Sequence, residues 1–492
     1  LTYNGDATQY RLCSASDCSS VERTWAATEA NPAAHDFGAD GKVYLPHPFD
    51  HEIPIKTINA SGRYFGDGPK LQFDMLDLDL YGPKLSIALN LVENEGAIYI
   101  GANGVARDIH IKNFSSHWPK KIAAKARKWI IENISQGGIP EVRTAIQASY
   151  SEGTGFELLS LNGDMNIRGA EVKLVSSIPS VSDIMATARF NKNKFDIFVT
   201  QAQLGGVTTQ KSVISFRDLN EADTYADIDL FVEGPINKAL SLIDQPPQEF
   251  MSVFGASKEK INGSAEAHIK LNFLVEENLN REKIDFEISA RVQDLSADNI
   301  ILSQGINDGQ LVLEASKQML IVNGDVRFGS ILAGLQLQRN FSIDAPFRAQ
   351  YKVTSHVDNI QKIRDLGVMP LPSNFIEGGV AFEFQLTTHD SEKDMARVQI
   401  DLQDTLLAFP AIGWSKKVGS AGSAYGNFEI EHNRVINVPE FSLNTEDLIM
   451  NGSATYGKQG SGLDRVNIDQ VSFKRTDLAG VVIPGKDGGW TV

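Results

Sequence analysis

Cysteine is almost missing from this chain: Cys13 and Cys18 are the two present in 492 residues, spaced Cys-x4-Cys in a polar, serine-rich stretch. A structural zinc site needs two more ligands, and no nearby cluster supplies them. The pair either closes a small disulfide loop, which suits an oxidising compartment, or stays as two surface thiols. Positive charge is also scarce. Lys and Arg number 46 against 62 Asp and Glu, a formal net charge of −16. The balance argues against nucleic acid as a partner, because phosphate backbones need a basic face. It leaves room for a small local basic patch.

Long apolar runs are absent as well. No stretch approaches the roughly 18 residues of a membrane helix, and no charged region followed by an apolar one marks a signal peptide. The chain begins at Leu1, not Met. The expectation is an excerpt whose membrane anchor lies upstream.

Catalytic motifs are missing too. There is no Gly-x-Ser-x-Gly elbow, no phosphate-binding glycine loop with its lysine, and no His-Glu-x-x-His. The nine histidines are scattered; the nearest pair, His47 and His51, has Pro48 between them and reads as loop residues. Asp77 and Asp79 alternate with Leu76, Leu78 and Leu80, so they belong on the wet face of a strand. The expectation is a protein without enzymatic activity and without a cofactor.

What is present is period-two alternation, repeated many times. Leu85, Ile87, Leu89 and Leu91 alternate with small or polar residues. Ile284, Phe286, Ile288, Ala290 and Val292 alternate with Asp285, Glu287, Ser289 and Arg291. Similar runs cover Ile228–Val232, Ala265–Phe273, Val380–Leu386 and Val398–Leu402. In a strand, alternate side chains point to opposite faces, so each run makes one apolar and one wet face. Helices do not separate the runs, which excludes the βαβ rhythm of a parallel sheet. The fold class is mainly β: a long antiparallel, curled, groove-like sheet with one amphipathic helix and a few short ones.

Asn-Gly pairs recur at Asn162-Gly163, Asn262-Gly263, Asn323-Gly324 and Asn451-Gly452. They fit hairpin turns, which need positive φ, or bulges inside strands. The alternation changes phase between Leu71 and Leu80, which predicts a bulge near Met75. Residues 119–137 read as a helix, opened by Pro119 and stopped by Gly137-Gly138. Ile122, Ala126, Trp129, Ile130 and Ile134 form its apolar stripe, and Lys120, Lys121, Lys125, Arg127 and Lys128 crowd its first half. Such a helix either meets anionic lipid headgroups with Trp129 at the interface, or caps the sheet with its Trp and Ile residues buried. The cap is favoured, because the stripe is that of an ordinary packed helix. Shorter helices are predicted at 236–243, 247–254 and 358–366. Candidate segment boundaries fall near Ser116, Phe347 and Glu392, and the first two give an N-terminal β segment (1–115), a helix-plus-sheet segment (116–346) and a C-terminal β segment continuing the same sheet (347–492).

Several motifs resemble one family. His117-Trp118-Pro119, then Ala126-Arg127-x-Trp129-Ile130, then Gly137-Gly138 resemble the central domain of AsmA-like proteins of the YhdP type. Gly169-Ala170-Glu171-Val172, the segment Leu240–Asp244 with Pro246, and Pro410-Ala411-Ile412-Gly413-Trp414-Ser415-Lys416 agree in order and spacing. Together they span about residues 100 to 480. The resemblance implies the periplasmic part of an inner-membrane-anchored protein of a Gram-negative bacterium. It implies a β-sheet with a greasy groove, phospholipid acyl chains as the ligand, and a part in phospholipid movement and outer-membrane integrity.

A sheet with one continuous apolar face must cover that face or fill it. Leu311, Leu313, Leu320 and Val322, on one predicted hairpin, are candidate groove-lining residues; ordinary core packing explains them equally well. Three functions compete: a lipid-holding or lipid-conducting protein, a scaffold with a fully packed face, and a hydrolase with a distributed acid pair.

Overall fold

The computed structural model describes residues 2–3, 9–13, 21–26, 33–37, 41–45, 51–65, 70–118, 124–173, 179–243, 260–276, 283–301, 304–342, 344–366, 375–390, 393–410, 413–431, 434–457, 463–484 and 490–491. The chain divides into two units, Leu1–Phe231 with Leu271–Ile284, and Val232–Lys270 with Asp285–Val492. Cys18 lies outside the described residues, so the structure does not bear on its pairing with Cys13.

The fold is mainly β and antiparallel, as the alternation implies. In the first unit the strands Thr57–Phe65, Lys70–Asp79, Lys84–Asn94, Ala97–His110, Ile134–Ser151, Gly155–Val172, Val181–Asn191 and Lys194–Leu204 pair each with the next. Ser212–Arg217 continues the sheet and pairs with Tyr225–Pro235. In the second unit Asp285–Ile301, Gln304–Ser316, Met319–Phe328, Ile331–Asn340, Ala349–Val357, Val380–Thr388, Lys393–Asp401, Gly422–Glu431, Arg434–Thr445, Leu448–Tyr456 and Leu463–Phe473 follow the same rule. A separate small sheet, Ile376–Gly378, Thr405–Phe409 and Trp414–Lys416, belongs to the second unit.

The predicted phase change is a bulge. Ser61 faces Met75 and Gly62 faces Phe73, so Asp74 is the extra residue. The Asn-Gly pairs are not hairpin turns, which corrects the first of the two readings of them. Gly163, Gly263, Gly324 and Gly452 all sit inside strands. Backbone approach explains them: a Cβ on Gly324 would lie 2.0 Å from the Gln310 carbonyl oxygen, and one on Gly452 2.3 Å from that of Asn467. Two of the two-residue hairpins use Glu95-Gly96, between Asn94 and Ala97, and Gly205-Gly206, between Leu204 and Val207. All four turn residues have positive φ, as right-twisted hairpins require.

Register shifts gather towards one end of the strands in the first unit, at 134–142, 168–172 and 182–186. Asp108 and Asp183 take the left-handed conformation there, which Asp tolerates better than most residues. Aligned bulges add twist and bend each strand, so this sheet curls.

Helix Ala124–Asn133 lies within the predicted span, and residues 119–123 fall outside the description. It stops at Asn133 because Ile134 already starts a strand. The expectation of a buried Trp129 is wrong: Trp129 is 47% exposed and Ile131 39%. The ties around this helix are polar. Arg127 donates to the carbonyls of Trp118 (2.9 Å) and Ser115 (2.8 Å). Helices Ile236–Ile243 and Gln361–Asp365 form where periodicity places them; the predicted helix at 247–254 lies outside the described residues.

Candidate functional site

The apolar side chains of the first unit share one face by register. Leu85, Ile87, Leu89 and Leu91 stand opposite Ala106, Gly104, Ala102 and Ile100. These in turn face Val142, Thr144, Ile146 and Ala148, and the row continues through Leu161, Met165 and Ile167 to Ala186 and Ala188. Phe195, Ile197, Ile214, Phe216 and Ile228 extend it. No Asp, Glu, Lys or Arg interrupts this set.

Burial separates most of this face from an ordinary core; a small packed cluster forms around Ala186, Val199 and Ala202, with Ile167, Ile197 and Ile214 against it. Among the described residues of the first unit, the buried isoleucines and leucines are Ile55 and Leu80; the rest of its buried apolar set is alanine and valine. Every large side chain named in the preceding rows is only partly buried. Ile98, Tyr150 and Phe156 pair across three strands at the hairpin end, and they are 39%, 38% and 43% exposed. The face is therefore broad, apolar and uncovered at one end. Apolar patches beyond a few hundred Å² mark binding sites in folded proteins.

The second unit treats its apolar face differently. Val322 and Val326 are fully buried, with Leu311, Leu320, Ala333 and Leu337 close to it, in one cluster against helix residues Ile236 and Leu240. A second cluster joins Ile331, Val357, Val380, Leu402 and Leu448 to Ile360 and Ile363 near the short helix and to Ile376, Leu407 and Trp414 of the small sheet. Here the chain supplies its own cover. The candidates Leu311, Leu320 and Val322 sit inside the first cluster, and Leu313, opposite Val322, packs against it partly buried. Towards the hairpin ends, Leu386, Val398, Phe428 and Ile430 remain only partly buried.

The residues that carried the sequence resemblance prove to be local ties. The ring nitrogens of His117 lie 2.8 Å from the carbonyls of Asn113 and Leu80. Trp414 donates to Asp447 at 2.9 Å and stacks on Phe409 at 5.4 Å. Lys416 is 3% exposed, and its ammonium donates to the carbonyls of Thr405 (3.0 Å), Lys417 (3.2 Å) and Gln403 (3.4 Å). Burial pushes its pKa down, while Glu446, Asp401 and Asp404 hold it up in part.

Two concavities, of about 1230 and 900 Å³, are lined largely by the polar faces of the sheets. The larger contains His356, Glu383, Asp401 and Glu446. Glu383 is engaged by Lys352 at 2.9 Å, and Asp401 accepts from the Gln403 amide at 2.9 Å. Among the described residues no hydrogen bond joins His356 to a carboxylate or hydroxyl, and no group of three or more His, Cys, Asp or Glu could hold a metal ion. No described helix is long and apolar enough to cross a membrane.

Fold and site together define a class: a mainly antiparallel β protein with a broad apolar sheet face whose large side chains, among the described residues, stay only partly buried. The family model described as YhdP protein matches residues 37–478. With most of its length inside that match, the chain belongs to the YhdP family. No curated protein matches it.

Proposed function

We propose that this chain is a non-enzymatic, lipid-binding part of a cell-envelope protein. In this reading it stands in the periplasm of a Gram-negative bacterium, held to the inner membrane by an anchor, and contributes to phospholipid transport to the outer membrane and to outer-membrane integrity. The observation that carries the reading is the uncharged, partly exposed apolar face of the first unit. Acyl chains are its natural cover. Each buried CH2 is worth about 0.8 kcal/mol, so a sixteen-carbon chain gains on the order of 10 kcal/mol on leaving water. No catalytic group is required, because the face lowers the cost of a lipid crossing water.

A scaffold role draws support from the second unit, whose two clusters are covered by the chain's own helices and small sheet. The two readings separate in one experiment. Native mass spectrometry of the chain purified from bacterial envelopes reads bound phospholipid directly. The lipid reading expects co-purifying phospholipid that Leu89→Asp with Ile146→Asp removes while the fold persists. A folded chain that arrives lipid-free and takes up no added phospholipid overturns it in favour of the scaffold.

A further inference from the structure

Two charged side chains stand on the apolar face of the second unit's central strands. Arg339 pairs in register with Leu320 on one side and Ala349 on the other. Leu320 and Ala349 both belong to the apolar cluster, so Arg339 shares their face. Asp394 alternates with buried Ala396 on a strand three places further along the sheet. Three strand spacings amount to about 14 Å, and no ion pair joins the two. Asp394 instead accepts from the His389 amide at 3.3 Å.

Arg339 is only partly buried, and among the described residues its guanidinium has neither a hydrogen-bond nor an ion-pair partner. Tyr351 lies diagonally beside it, opposite Leu337. The Tyr351 hydroxyl is also without a partner among the described residues. Burial raises the Tyr351 pKa, offset in part by Arg339, so the phenol stays a hydrogen-bond donor. Polar groups on an apolar surface are normally paired, because leaving them dry and unpaired is costly. Here a cation and a hydroxyl share one face in diagonal register where the apolar face meets the hairpin ends, beside partly exposed Leu386 and Phe384 on the second strand away.

We propose that Arg339, assisted by Tyr351, is a recognition point for the phosphate of a phospholipid whose acyl chains lie on the side chains left only partly buried towards the hairpin ends of this unit, Leu386, Phe428 and Ile430. The inference rests on the lipid reading above and adds the headgroup chemistry to it. The planar guanidinium forms paired hydrogen bonds with phosphate oxygens, and the hydroxyl supplies a third. The apolar surroundings favour a lipid over a free anion, because a lipid satisfies both the charge and the face.

The test compares two lipids with identical acyl chains, dioleoyl phosphatidylglycerol and dioleoylglycerol, offered to the purified chain and read by native mass spectrometry. The wild type should prefer the phosphate-bearing lipid by about tenfold, the worth of one charge-assisted hydrogen bond. Arg339→Gln should bring that ratio towards one with dioleoylglycerol uptake unchanged. Tyr351→Phe, which removes one oxygen, should lower it partway and decides the matter if Arg339→Gln fails to fold. An unchanged ratio in the variants overturns the Arg339 site and leaves the lipid reading standing. Uptake of neither lipid by the wild type overturns both. Tight inorganic phosphate binding at Arg339 without lipid discrimination overturns the lipid assignment in favour of a free-anion site.

Discussion

Removing the same three carbons from two leucines separates a packed face from an open one. Leu448 is fully buried in the cluster that contains Trp414. Leu89 stands on the first unit's apolar face between Phe73 and Ala102, partly buried. For Leu448→Ala the transfer term is about 2.4 kcal/mol, at about 0.8 per carbon. The cavity left in a close-packed surround adds about 1 more, for a total of about 3.5 kcal/mol. Leu89→Ala forfeits only part of the transfer term and opens no enclosed cavity, so its cost should be about 1 kcal/mol. Urea unfolding followed by far-UV circular dichroism measures both. Leu89→Ala should at the same time reduce lipid uptake, which Leu448→Ala should not do in the folded fraction. Equal losses above about 3 kcal/mol at both sites would refute the reasoning, since the first unit's face would then be packed shut.

Other substitutions test the fold and the electrostatics. Gly324→Val drives a branched side chain onto the Gln310 carbonyl at a residue with φ of +152°, and should cost about 3 kcal/mol by thermal or urea unfolding. Lys416 has a folded pKa below its ordinary 10.5 because of burial, so the unfolded chain binds that proton more tightly. Stability should therefore rise as pH climbs from the lowered folded value towards 10.5, by proton linkage. Lys416→Met should flatten that rise in melts taken across alkaline pH. Trp129→Ala, at an exposed position, should change stability by no more than about 0.5 kcal/mol.

Much of this protein was legible in its sequence because strand side chains alternate with period two. The apolar sets at 85–91, 284–292 and 380–386 needed no tertiary knowledge, and the phase slip at Met75 announced its bulge. Helix Ile236–Ile243 was equally plain, bounded by its own pattern and by Pro235. Family motifs were legible for a different reason. His117, Trp414 and Lys416 make specific ties that few other residues could replace, and such ties leave recognisable spacing.

Alternation states which side chains share a face, but not what lies against that face. That was decided only in three dimensions. Val322 and Leu89 look alike in sequence, yet one is fully buried in a cluster that includes Ile236 and Leu240, and the other stays only partly buried. Of the two readings of the Asn-Gly pairs, local propensity alone could not choose between turn and strand, whereas the crossing distance to a neighbouring strand requires glycine within the strand. Trp129 followed a helical stripe, yet among the described residues nothing buries it: it stays 47% exposed. Arg339 carried no signal at all in sequence, since an arginine after Leu337 and Gln338 is ordinary. Its meaning comes from pairing with Leu320 and Ala349, a long-range register that only the folded sheet sets.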